Sequence, residues 1–368
     1  MEALNKARTQ INNIDKQMAM LFEERMKAVR DIAEYKAERG LPILDNAREA
    51  EVIAKNAALV ENDELRSYYI NFVKNNMELS KQYQRKLMEG IKIAYSGVEG
   101  AFAYIAAARI FPEGNYVSYP DFKSAYNAVA DGECDCAVLP IENSYAGEVG
   151  QVMDLMFKGS LYVNGVYDLQ IKQNLLGIQG ARVEDIKCVV SHPQALSQCA
   201  AYIKKHGFEQ LQASNTAIAA LSVLEKGNKE LAAIASEETA ALYGLAVLDR
   251  SVNESATNTT RFAVLSPIQS KSARSKNSTF FLLFTVNHVA GALASAIGVI
   301  GRHGFNMKAL RSRPMREDAW QYYFYVEAEG DENSEAGKRM LSELAEHCDM
   351  LKVVGSYPAE IALKDGAL

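Results

Sequence analysis

The segment Asn258-Thr259-Thr260-Arg261-Phe262 brings an amide, two hydroxyls and one cation to the start of an apolar strand, Ala263-Val264-Leu265. Polar groups on a loop that a strand holds in place are typical of catalytic and binding sites. Two hydroxyls beside an arginine suit a small anionic substrate whose leaving group needs a proton or a hydrogen bond. Taken alone, however, the segment is better explained as the polar start of a strand, with threonine present for its β-propensity and arginine for contact with solvent.

Two further polar clusters weaken that alternative, because each also follows an apolar strand. They are Leu139-Pro140-Ile141-Glu142-Asn143-Ser144 and Ser191-His192-Pro193-Gln194. In sheets of parallel strands, ligands bind beyond the carboxyl ends of the strands. Taken together, the three segments resemble the signature of prephenate dehydratase.

The composition limits the class of protein. A chain of 368 residues is longer than one hydrophobic core usually spans, so two or three domains are expected. Its net charge of −6 argues against a general nucleic-acid binder. Five cysteines without a Cys-x-x-Cys pair, together with scattered histidines, predict a reducing, cytoplasmic compartment, no metal site and no cofactor. The charged N-terminus predicts no signal peptide, and no segment reaches the apolar length of a membrane span.

Residues 1–90 have the pattern of three helices. Apolar residues recur at steps of three and four, which predicts a helix over about 3–39 that ends at Gly40-Leu41-Pro42. A second helix is expected after Asp45, a favourable N-cap residue, and a third over about 63–89. A first helix this long extends beyond its own short partners, which predicts an intertwined homodimer or a higher homo-oligomer.

Two cations of the first helix, Arg25 and Lys36, lie inside its apolar stripe rather than opposite it. A single cation there would be explained by a long side chain that reaches solvent past the edge of a core. Two on one line, with Asn76 inside the stripe of the third helix, favour a buried site for an anion. Ser80 and Gln84 lie one turn apart beside that stripe, so both can face one ligand.

These residues resemble the all-helical class of chorismate mutase. The positions that match its pattern are Arg8, Arg25, Lys36, Asp45, Arg48, Ser80 and Gln84. The resemblance implies the rearrangement of chorismate to prephenate, which needs the dianion folded and the ether oxygen hydrogen-bonded as its bond breaks. It also implies that the three arginines hold the carboxylates and that Lys36 and Gln84 face the ether oxygen. Asp45 and Ser80 would bind the ring hydroxyl or orient the cations.

Residues 91–270 alternate strands with helices, which predicts an α/β domain of mostly parallel strands. The dehydratase resemblance implies a two-lobed, periplasmic-binding-like domain that converts prephenate to phenylpyruvate in its cleft, with loss of carbon dioxide and the ring hydroxyl. Thr260 would donate to that hydroxyl, and Glu142 would be the catalytic acid if burial keeps it protonated. The side chains that would bind carboxylates or order the cleft are Asn143, Ser144, Gln194 and Arg261.

Other residues of this region have more ordinary interpretations. His192 is interpreted as a strand-end histidine bonded to backbone rather than as a catalytic residue. Gly97-Val98-Glu99-Gly100 lacks the third glycine and the lysine of a nucleotide signature, and matches the opening glycine loop of the family. Ala101 and Ala103 stand where the family commonly has hydroxyl residues, so one hydrogen bond to substrate would be missing or supplied by water.

Residues 271–368 begin with a polar, basic stretch over 271–278 that is predicted to be a linker. A strand–helix–strand–strand–helix–strand order follows, which is a ferredoxin-like unit. Gly291-Ala292-Leu293 and Arg311-Ser312-Arg313-Pro314 resemble the ACT regulatory domain. They imply a site for phenylalanine, whose carboxylate suits a helix N-terminus opened by glycine. Arg311 stands where the family usually has glutamate, and a dimerisation module without a ligand is the alternative.

The whole chain therefore resembles the bifunctional chorismate mutase–prephenate dehydratase family, with domains predicted at 1–90, 91–270 and 271–368. The resemblance implies an enzyme of phenylalanine biosynthesis that phenylalanine inhibits, with neither nucleic acid nor membrane as a partner. Two alternatives stay open. A dehydratase for arogenate would meet an ammonium where prephenate has a ketone. A binding-only sensor would keep the cleft without catalysis, although the intact Thr260 and Glu142 argue against it.

Overall fold

The chain divides into two compact units, Met1–Ile91 and Lys92–Leu368. The residues that this computed structural model describes are 2–255, 257–270, 278–315, 321–358 and 361–364. The linker predicted at 271–278 lies outside them, apart from Ser278, which is buried. None of the helices within those ranges is long and apolar enough to cross a membrane.

The first unit is made of helices. Its helices are α1 (Glu2–Arg39), α2 (Asn46–Ala57) and α3 (Asp63–Glu89). The three predicted helices are confirmed, and Asp45 is the N-cap of α2, since its side chain accepts a hydrogen bond from the backbone N–H of Arg48 at 3.0 Å. Gly40 follows α1 with a φ of +61°, a left-handed conformation that glycine adopts without strain.

The first two thirds of α1 expose an apolar stripe. Among the residues of this helix, which the structure describes from Glu2 to Arg39, only Val29 and Ala33 are buried. The exposed large apolar side chains of the stripe are Leu4, Ile11, Ile14, Met18, Leu21 and Phe22. Contiguous apolar surface of this kind is typical of an interaction site rather than of a helix face that contacts water.

The second unit contains two β-sheets with helices around them. Its strands are β1 (Lys92–Ser96), β2 (Asn115–Tyr119), β3 (Cys136–Asn143), β4 (Gly147–Glu148), β5 (Tyr162–Gln170), β6 (Asn174–Gly177), β7 (Cys188–Ser191), β8 (Glu209–Gln212), β9 (Leu231–Ala235), β10 (Ala246–Asp249), β11 (Thr259–Ser266), β12 (Thr279–Thr285), β13 (Asn306–Pro314), β14 (Tyr322–Glu329), β15 (Met350–Tyr357) and β16 (Ile361–Ala362). Its helices are α4 (Phe102–Ile110), α5 (Phe122–Ala130), α6 (Gly150–Lys158), α7 (Pro193–Gln198), α8 (Ala200–His206), α9 (Thr216–Lys226), α10 (Glu237–Tyr243), α11 (Ala292–Arg302) and α12 (Glu335–Glu346).

Two lobes result from the way the chain passes between the sheets. The larger sheet has the order β13-β14-β12-β15-β5-β11-β3-β1-β2, and the smaller one has the order β10-β6-β9-β7-β8. The chain leaves the larger sheet after β5 through residues 171–173 and returns to β11 through residues 250–258. Ile171 and Gln173 of the first joining segment line the space between the lobes.

The prediction of mostly parallel strands is wrong, because both sheets are mixed. β1, β2 and β3 pair in parallel, as do β7, β8 and β9, where helices connect consecutive strands. β11 runs antiparallel between β3 and β5, and β6 runs antiparallel to β9 and β10. β11 and β6 each follow a joining segment, so each enters its sheet from the opposite end. The short β4 also runs antiparallel to β3.

Residues 279–357 have the predicted order of elements, and their strands form an antiparallel sheet in the order β13-β14-β12-β15. One face of this sheet, which includes Phe280 and Phe284, packs against α11 and α12. The opposite face, which includes Phe281 and Tyr325, shares a hydrophobic core with α5 and α6. Since β15 also pairs with β5, one sheet continues from the strands before residue 270 into those after 278.

Gly355 permits this continuation and provides a test of it. It lies opposite Val163 with a φ of +146°, and a Cβ added there would collide with the Val163 backbone. Gly355→Ala is expected to lower the free energy of unfolding by about 2–3 kcal/mol, measured by urea denaturation. Gly301→Ala, at a helical site of α11 with open space around the added methyl, is the matched control and is expected to be neutral or slightly stabilising. Equal stability of both variants would show that β15 does not contact β5 in this way.

Candidate active sites

A polar cluster lies between α1 and α3 of the first unit. The half-buried Arg25 guanidinium donates to the Ser80 hydroxyl and, at 3.3 Å, to the backbone oxygen of Asn76. Ser80 in turn donates to the same Asn76 oxygen at 2.7 Å. Burial lowers the pKa of Arg25 from its ordinary value, which reflects a cation held partly away from water. An anion bound beside Arg25 would offset the energetic cost of that desolvation.

Gln84 extends this cluster by one turn of α3. Its side chain is buried, at 7% exposure, and its Oε1 atom has no hydrogen-bond partner among the residues that the structure describes. Buried amide groups usually have partners, so an unpaired one beside a half-buried guanidinium is typical of a ligand site. Arg25, Ser80 and Gln84 are therefore brought together as the sequence predicts.

The remaining cations of the first unit have other surroundings. Lys36 is half-buried and donates to the backbone oxygen of Ile43 at 2.7 Å, beside the loop that leads to Asp45. Arg48 is exposed and forms an ion pair with Glu51 at 2.6 Å. Arg8 is exposed on the uncovered part of α1. One chain therefore brings together only some of the residues that were predicted for the mutase site.

A cavity of about 970 Å³ lies between the lobes of the second unit. Asn143 and Thr260 line it from the larger sheet, His192 and Gln194 line it from the smaller one, and Gln173 lines it from a joining segment. The three polar segments that the sequence singled out therefore meet in one place. No lysine or arginine lines this cavity within the described ranges.

Several helices begin beside this cavity. Among the described helices, those with their first or second residue in the lining are α4 at Phe102, α5 at Phe122, α6 at Gln151, α7 at Gln194 and α9 at Thr216. The N-cap residues of α4 and α6 are Ala101 and Val149, and neither side chain makes a capping hydrogen bond. Uncapped N–H groups and the positive end of the helix dipole both attract carboxylates, so the cavity suits an anion without basic side chains.

Asn143 fixes the position and the hydrogen bonding of Thr260. Its Oδ1 accepts from the backbone N–H groups of Tyr145 and Ala146 at 3.0 and 2.9 Å, which leaves its Nδ2 to donate. That Nδ2 donates to Thr260 Oγ1 at 2.9 Å and to Asn258 Oδ1 at 2.9 Å. Because the Thr260 oxygen accepts from Asn143, the Thr260 proton can be donated into the cavity.

The histidine of the smaller lobe has the role that the sequence predicts. His192 is the N-cap of α7, and its Nδ1 accepts from the backbone N–H of Gln194 at 3.2 Å. Burial lowers the pKa of His192, so the ring stays neutral at physiological pH. Ser144, which was expected in the cleft, is exposed and instead accepts from the backbone N–H of Thr259 at 3.0 Å. It therefore holds the start of β11 rather than lining the cavity.

Glu142 and Arg261 do not line the cavity, which corrects the expectation that they act there as acid and carboxylate ligand. Thr260 pairs with Asn143 and Arg261 with Glu142, but Phe262 pairs with Pro140. One extra residue, Ile141, is thus accommodated in β3 as a β-bulge. Pro140 and Asn143 both line the cavity, while the bulge turns the Glu142 carboxylate to the other face of the sheet.

On that other face, the two side chains join an ionic network. Arg261 makes two hydrogen bonds of 2.9 Å to Glu327 and one of 3.0 Å to Glu142. Arg311 forms an ion pair with Glu142, and Tyr357 donates to Glu327 at 3.1 Å. Burial alone would raise the pKa of Glu327, but Arg261, with Tyr325 and Tyr357, lowers it below its usual value. β3 and β11 are therefore tied to the strands after residue 278.

The predicted effector residues divide between two faces of β13. Arg313 pairs with Asp154 at 3.1 Å and with Glu148 at 2.7 Å, so neither it nor Arg311 is oriented towards α11. This corrects the expectation that both arginines contact an effector there. Ser312 lies beside Phe324, which packs in the core under α11, so Ser312 is on the helix face.

The other predicted effector residues lie near the ends of these elements. Gly291 is the N-cap of α11 with a φ of +83°, and Ala292 and Leu293 form its first turn. Pro314 is exposed at the end of β13 and lines a separate cavity of about 700 Å³. Of the predicted effector residues, Ser312 and those in the first turn of α11 lie on the same face of the sheet.

Comparison with known proteins finds a matching family model in each of the two units. A family model for prephenate dehydratase matches residues 93–270, and a model for chorismate mutase type II matches residues 7–85. The bifunctional chorismate mutase/prephenate dehydratase of Aquifex aeolicus is 31% identical over 369 residues, which cover 97% of this chain and 98% of the relative. The chain belongs to the bifunctional chorismate mutase/prephenate dehydratase family.

Two other relatives match about three quarters of the chain. Arogenate dehydratase/prephenate dehydratase 1 of Arabidopsis thaliana is 31% identical over 287 residues, which cover 74% of this chain and 73% of the relative. A crystal structure of the prephenate dehydratase of Arthrobacter aurescens in complex with L-Phe matches with a TM-score of 0.68 and 25% identity. It covers 73% of this chain and 90% of that one. The chain is thus an enzyme with a chorismate mutase domain and a prephenate dehydratase domain.

Some residues of the dehydratase cavity carried no signal in the sequence. Gln173 and Gln198 are buried and line it, although neither belongs to one of the three polar segments. Asp121 also lines it and accepts from the backbone N–H of Ser124 at 2.7 Å, which lowers the pKa of Asp121. It is the N-cap of α5, and its position beside the cavity depends on the fold.

The network around Glu327 predicts an acid-sensitive contribution to stability. Since the pKa of Glu327 is lowered in the folded protein, its contribution is present above the unfolded value and is lost as the pH falls through the folded value. Glu327→Gln is expected to lower the free energy of unfolding by about 3 kcal/mol at pH 7 in urea denaturation, and by progressively less below about pH 4.5. The control Glu335→Gln removes an exposed ion pair with Lys338 and is expected to change stability by about 0.5 kcal/mol or less. A Glu327→Gln deficit that does not shrink in acid would contradict the ionised network.

Proposed function

We propose that this chain rearranges chorismate to prephenate in its helical unit and converts prephenate to phenylpyruvate in the cavity of its second unit. The observation that carries the proposal is the hydrogen bond from Asn143 to Thr260, which leaves the threonine proton available to a ligand. Feedback inhibition by phenylalanine through a C-terminal ACT domain, within residues 271–368, is the third part of the proposal. Each part has its own support and its own test.

The dehydratase reaction needs help mainly at the departing hydroxyl. The bond to the ring carboxylate breaks with release of carbon dioxide, its electron pair enters the ring, and the C–O bond to the hydroxyl breaks. The hydroxide leaves as water after it gains one proton, and solvent replaces that proton. A hydrogen bond from Thr260 to the leaving oxygen stabilises the charge that develops there.

Thr260 is the best candidate for this donor because the acids nearby are unsuitable. Glu142 is turned away from the cavity and bonded to two arginines. Asp121 lines the cavity, but its lowered pKa keeps it ionised at neutral pH and leaves it only an acceptor. The two carboxylates of prephenate would lie against the uncapped N-termini of α4 and α6.

Thr260→Val is expected to reduce dehydratase kcat by about 100-fold or more, because the leaving oxygen loses its donor, while mutase activity persists. Thr259→Val is the matched control: the neighbouring hydroxyl bonds to the backbone oxygen of Thr257 and does not line the cavity. Both activities are measured on each purified variant, with prephenate and with chorismate. Equal loss of both activities in Thr260→Val, or equal loss in the two variants, would refute this role.

The mutase reaction needs no acid, base or nucleophile, only a folded dianion and donors near the breaking ether bond. The cluster of Arg25, Ser80 and Gln84 supports this chemistry. Arg8 is 17 residues before Arg25 on the same helix, so their Cα atoms are ~25 Å apart and point in different directions. If Arg8 binds the same ligand, it comes from a second chain. The exposed apolar stripe of α1 supports such a homodimer.

Mixing two inactive variants tests this two-chain site. Arg8→Ala and Arg25→Ala are each expected to lose most mutase activity. When they are unfolded and refolded together, mixed dimers contain one site with both arginines and one with neither. Mutase activity is therefore expected to return to about a quarter or less of the wild-type value, with dehydratase activity as the internal control. Mixed dimers that form, as shown by mass spectrometry, yet remain without mutase activity would contradict a site shared between chains.

The proposed regulation rests on the two faces of β13. The relative from Arthrobacter aurescens was crystallised with L-Phe, which makes phenylalanine the effector to test here. A ligand held by the first turn of α11 and Ser312 would contact one face of β13, while Arg311 on the other face pairs with Glu142. Glu142 precedes Asn143, so a shift of β13 would reach the residue that positions Thr260. An effector acts by binding one of two states more tightly.

Phenylalanine is expected to bind the intact chain in calorimetry, to inhibit dehydratase activity and to shift the oligomer. Arg311→Met is expected to keep binding but to reduce the inhibition several-fold, because the contact with Glu142 is lost. Arg339→Met, which removes an exposed arginine of α12, is the matched control and is expected to behave like the wild type. Absence of phenylalanine binding would remove the regulatory proposal, and full inhibition of Arg311→Met would remove this route of coupling.

A further inference from the structure

Gln173 lies on the joining segment between β5 and β6, and its backbone is held on both sides. Its N–H donates to Asn253 Oδ1 at 3.0 Å, and its C=O accepts from the N–H of Val252 at 2.8 Å. Two residues earlier, the N–H of Ile171 donates to the backbone oxygen of Asn258 at 2.7 Å. The segment is therefore fixed to the second joining segment, which leads directly to Thr260.

The side chain of Gln173 is buried and incompletely hydrogen-bonded. It is 2% exposed and lines the cavity between the lobes. Its Oε1 atom has no hydrogen-bond partner within the ranges that the structure describes. A buried amide oxygen without a donor destabilises the folded state, and such groups are rare outside functional sites. A rigid backbone that holds an unpaired acceptor at a cavity wall indicates that the partner is a ligand.

The chemistry of prephenate limits what that ligand group can be. Its two carboxylates and its ketone accept hydrogen bonds and cannot donate them. Its ring hydroxyl is the one group that can donate to Gln173 Oε1. The same hydroxyl is the leaving group, whose oxygen accepts from Thr260 in the proposed reaction.

We infer that Gln173 is a substrate-binding residue that accepts the hydrogen of the leaving hydroxyl while Thr260 donates to the oxygen of that hydroxyl. This inference rests on the proposed dehydratase function and deepens it. With its hydrogen directed at Gln173, the hydroxyl presents a lone pair to Thr260, which is the orientation that protonation of the departing oxygen requires. Gln173 recognises the leaving hydroxyl, whereas the helix N-termini recognise the two carboxylates, of which the product keeps one.

Gln173→Met tests the inference, since methionine fills the same volume and cannot accept a comparable hydrogen bond. Its kcat/KM for prephenate is expected to fall by about 10- to 100-fold. Phenylpyruvate, the product, keeps a carboxylate but has no ring hydroxyl. Its inhibition constant against the dehydratase is therefore expected to stay within about twofold of the wild-type value. Arogenate carries the same hydroxyl, so any activity of the wild type on arogenate is expected to fall by the same factor.

The wild type and a control variant keep the possible failures separate. An inactive wild-type dehydratase would refute the proposed function itself, whereas unchanged kcat/KM in Gln173→Met would refute only the role of Gln173. Phenylpyruvate inhibition that weakens in parallel with kcat/KM would show that Gln173 binds a carboxylate or supports the fold. A loss confined to arogenate would assign it to the ammonium. Gln179→Met, at an exposed glutamine of the same lobe that bonds to the Gly244 oxygen, should match the wild type, and mutase activity in each variant reports on folding.

Discussion

The dehydratase half of this protein depends on the antiparallel pairing of β3 with β11. This pairing sets Asn143 opposite Thr260 and Glu142 opposite Arg261, with one extra residue absorbed in β3. Asn143 and Thr260 therefore face the cavity, and Glu142 and Arg261 face the strands that follow residue 278. Without the bulge, simple alternation from Pro140 would direct Glu142 into the cavity and Asn143 away from it.

The two proposed sites offer an anion different physical means of binding. In the helical unit, Arg25 is partly desolvated and bonded to Ser80, so a cationic side chain is prepared for an anion. In the cavity of the second unit, the described lining contains no lysine or arginine, and we propose that helix N-termini supply the positive potential. A helix dipole attracts a carboxylate with only a partial positive charge. A full positive charge would also stabilise the departing carboxylate and so oppose its loss. This difference fits a rearrangement that retains both carboxylates and a decarboxylation that loses one.

Much of the fold could be predicted from local patterns in the sequence. The helices of the first unit follow from apolar spacing and from the Asp45 cap, and the strand–helix–strand–strand–helix–strand order follows from alternating patterns. The three polar segments did meet in one cavity, because strand ends converge at one edge of a sheet. Each of these features can be recognised from a local pattern, even where the segments themselves lie far apart in the chain.

The features that could not be predicted depend on residues far apart in the chain. The bulge that reorients Glu142 is set by its pairing with β11, more than a hundred residues later. Arg311 and Arg313 matched an effector motif, but their partners, Glu142 and Asp154, come from another part of the second unit. Gln173 belongs to no sequence motif. Its importance emerges only from the structure, in which its backbone is hydrogen-bonded and its side-chain Oε1 is buried without a described partner.

Supplying the purified chain with chorismate alone tests the combined activity most directly. Chorismate should disappear, and phenylpyruvate should appear after a lag in which prephenate accumulates and is consumed. The final phenylpyruvate should equal the chorismate supplied, with one carbon dioxide released for each molecule. Chorismate that remains unchanged, or prephenate that accumulates without any phenylpyruvate, would contradict two active sites working in sequence on this chain.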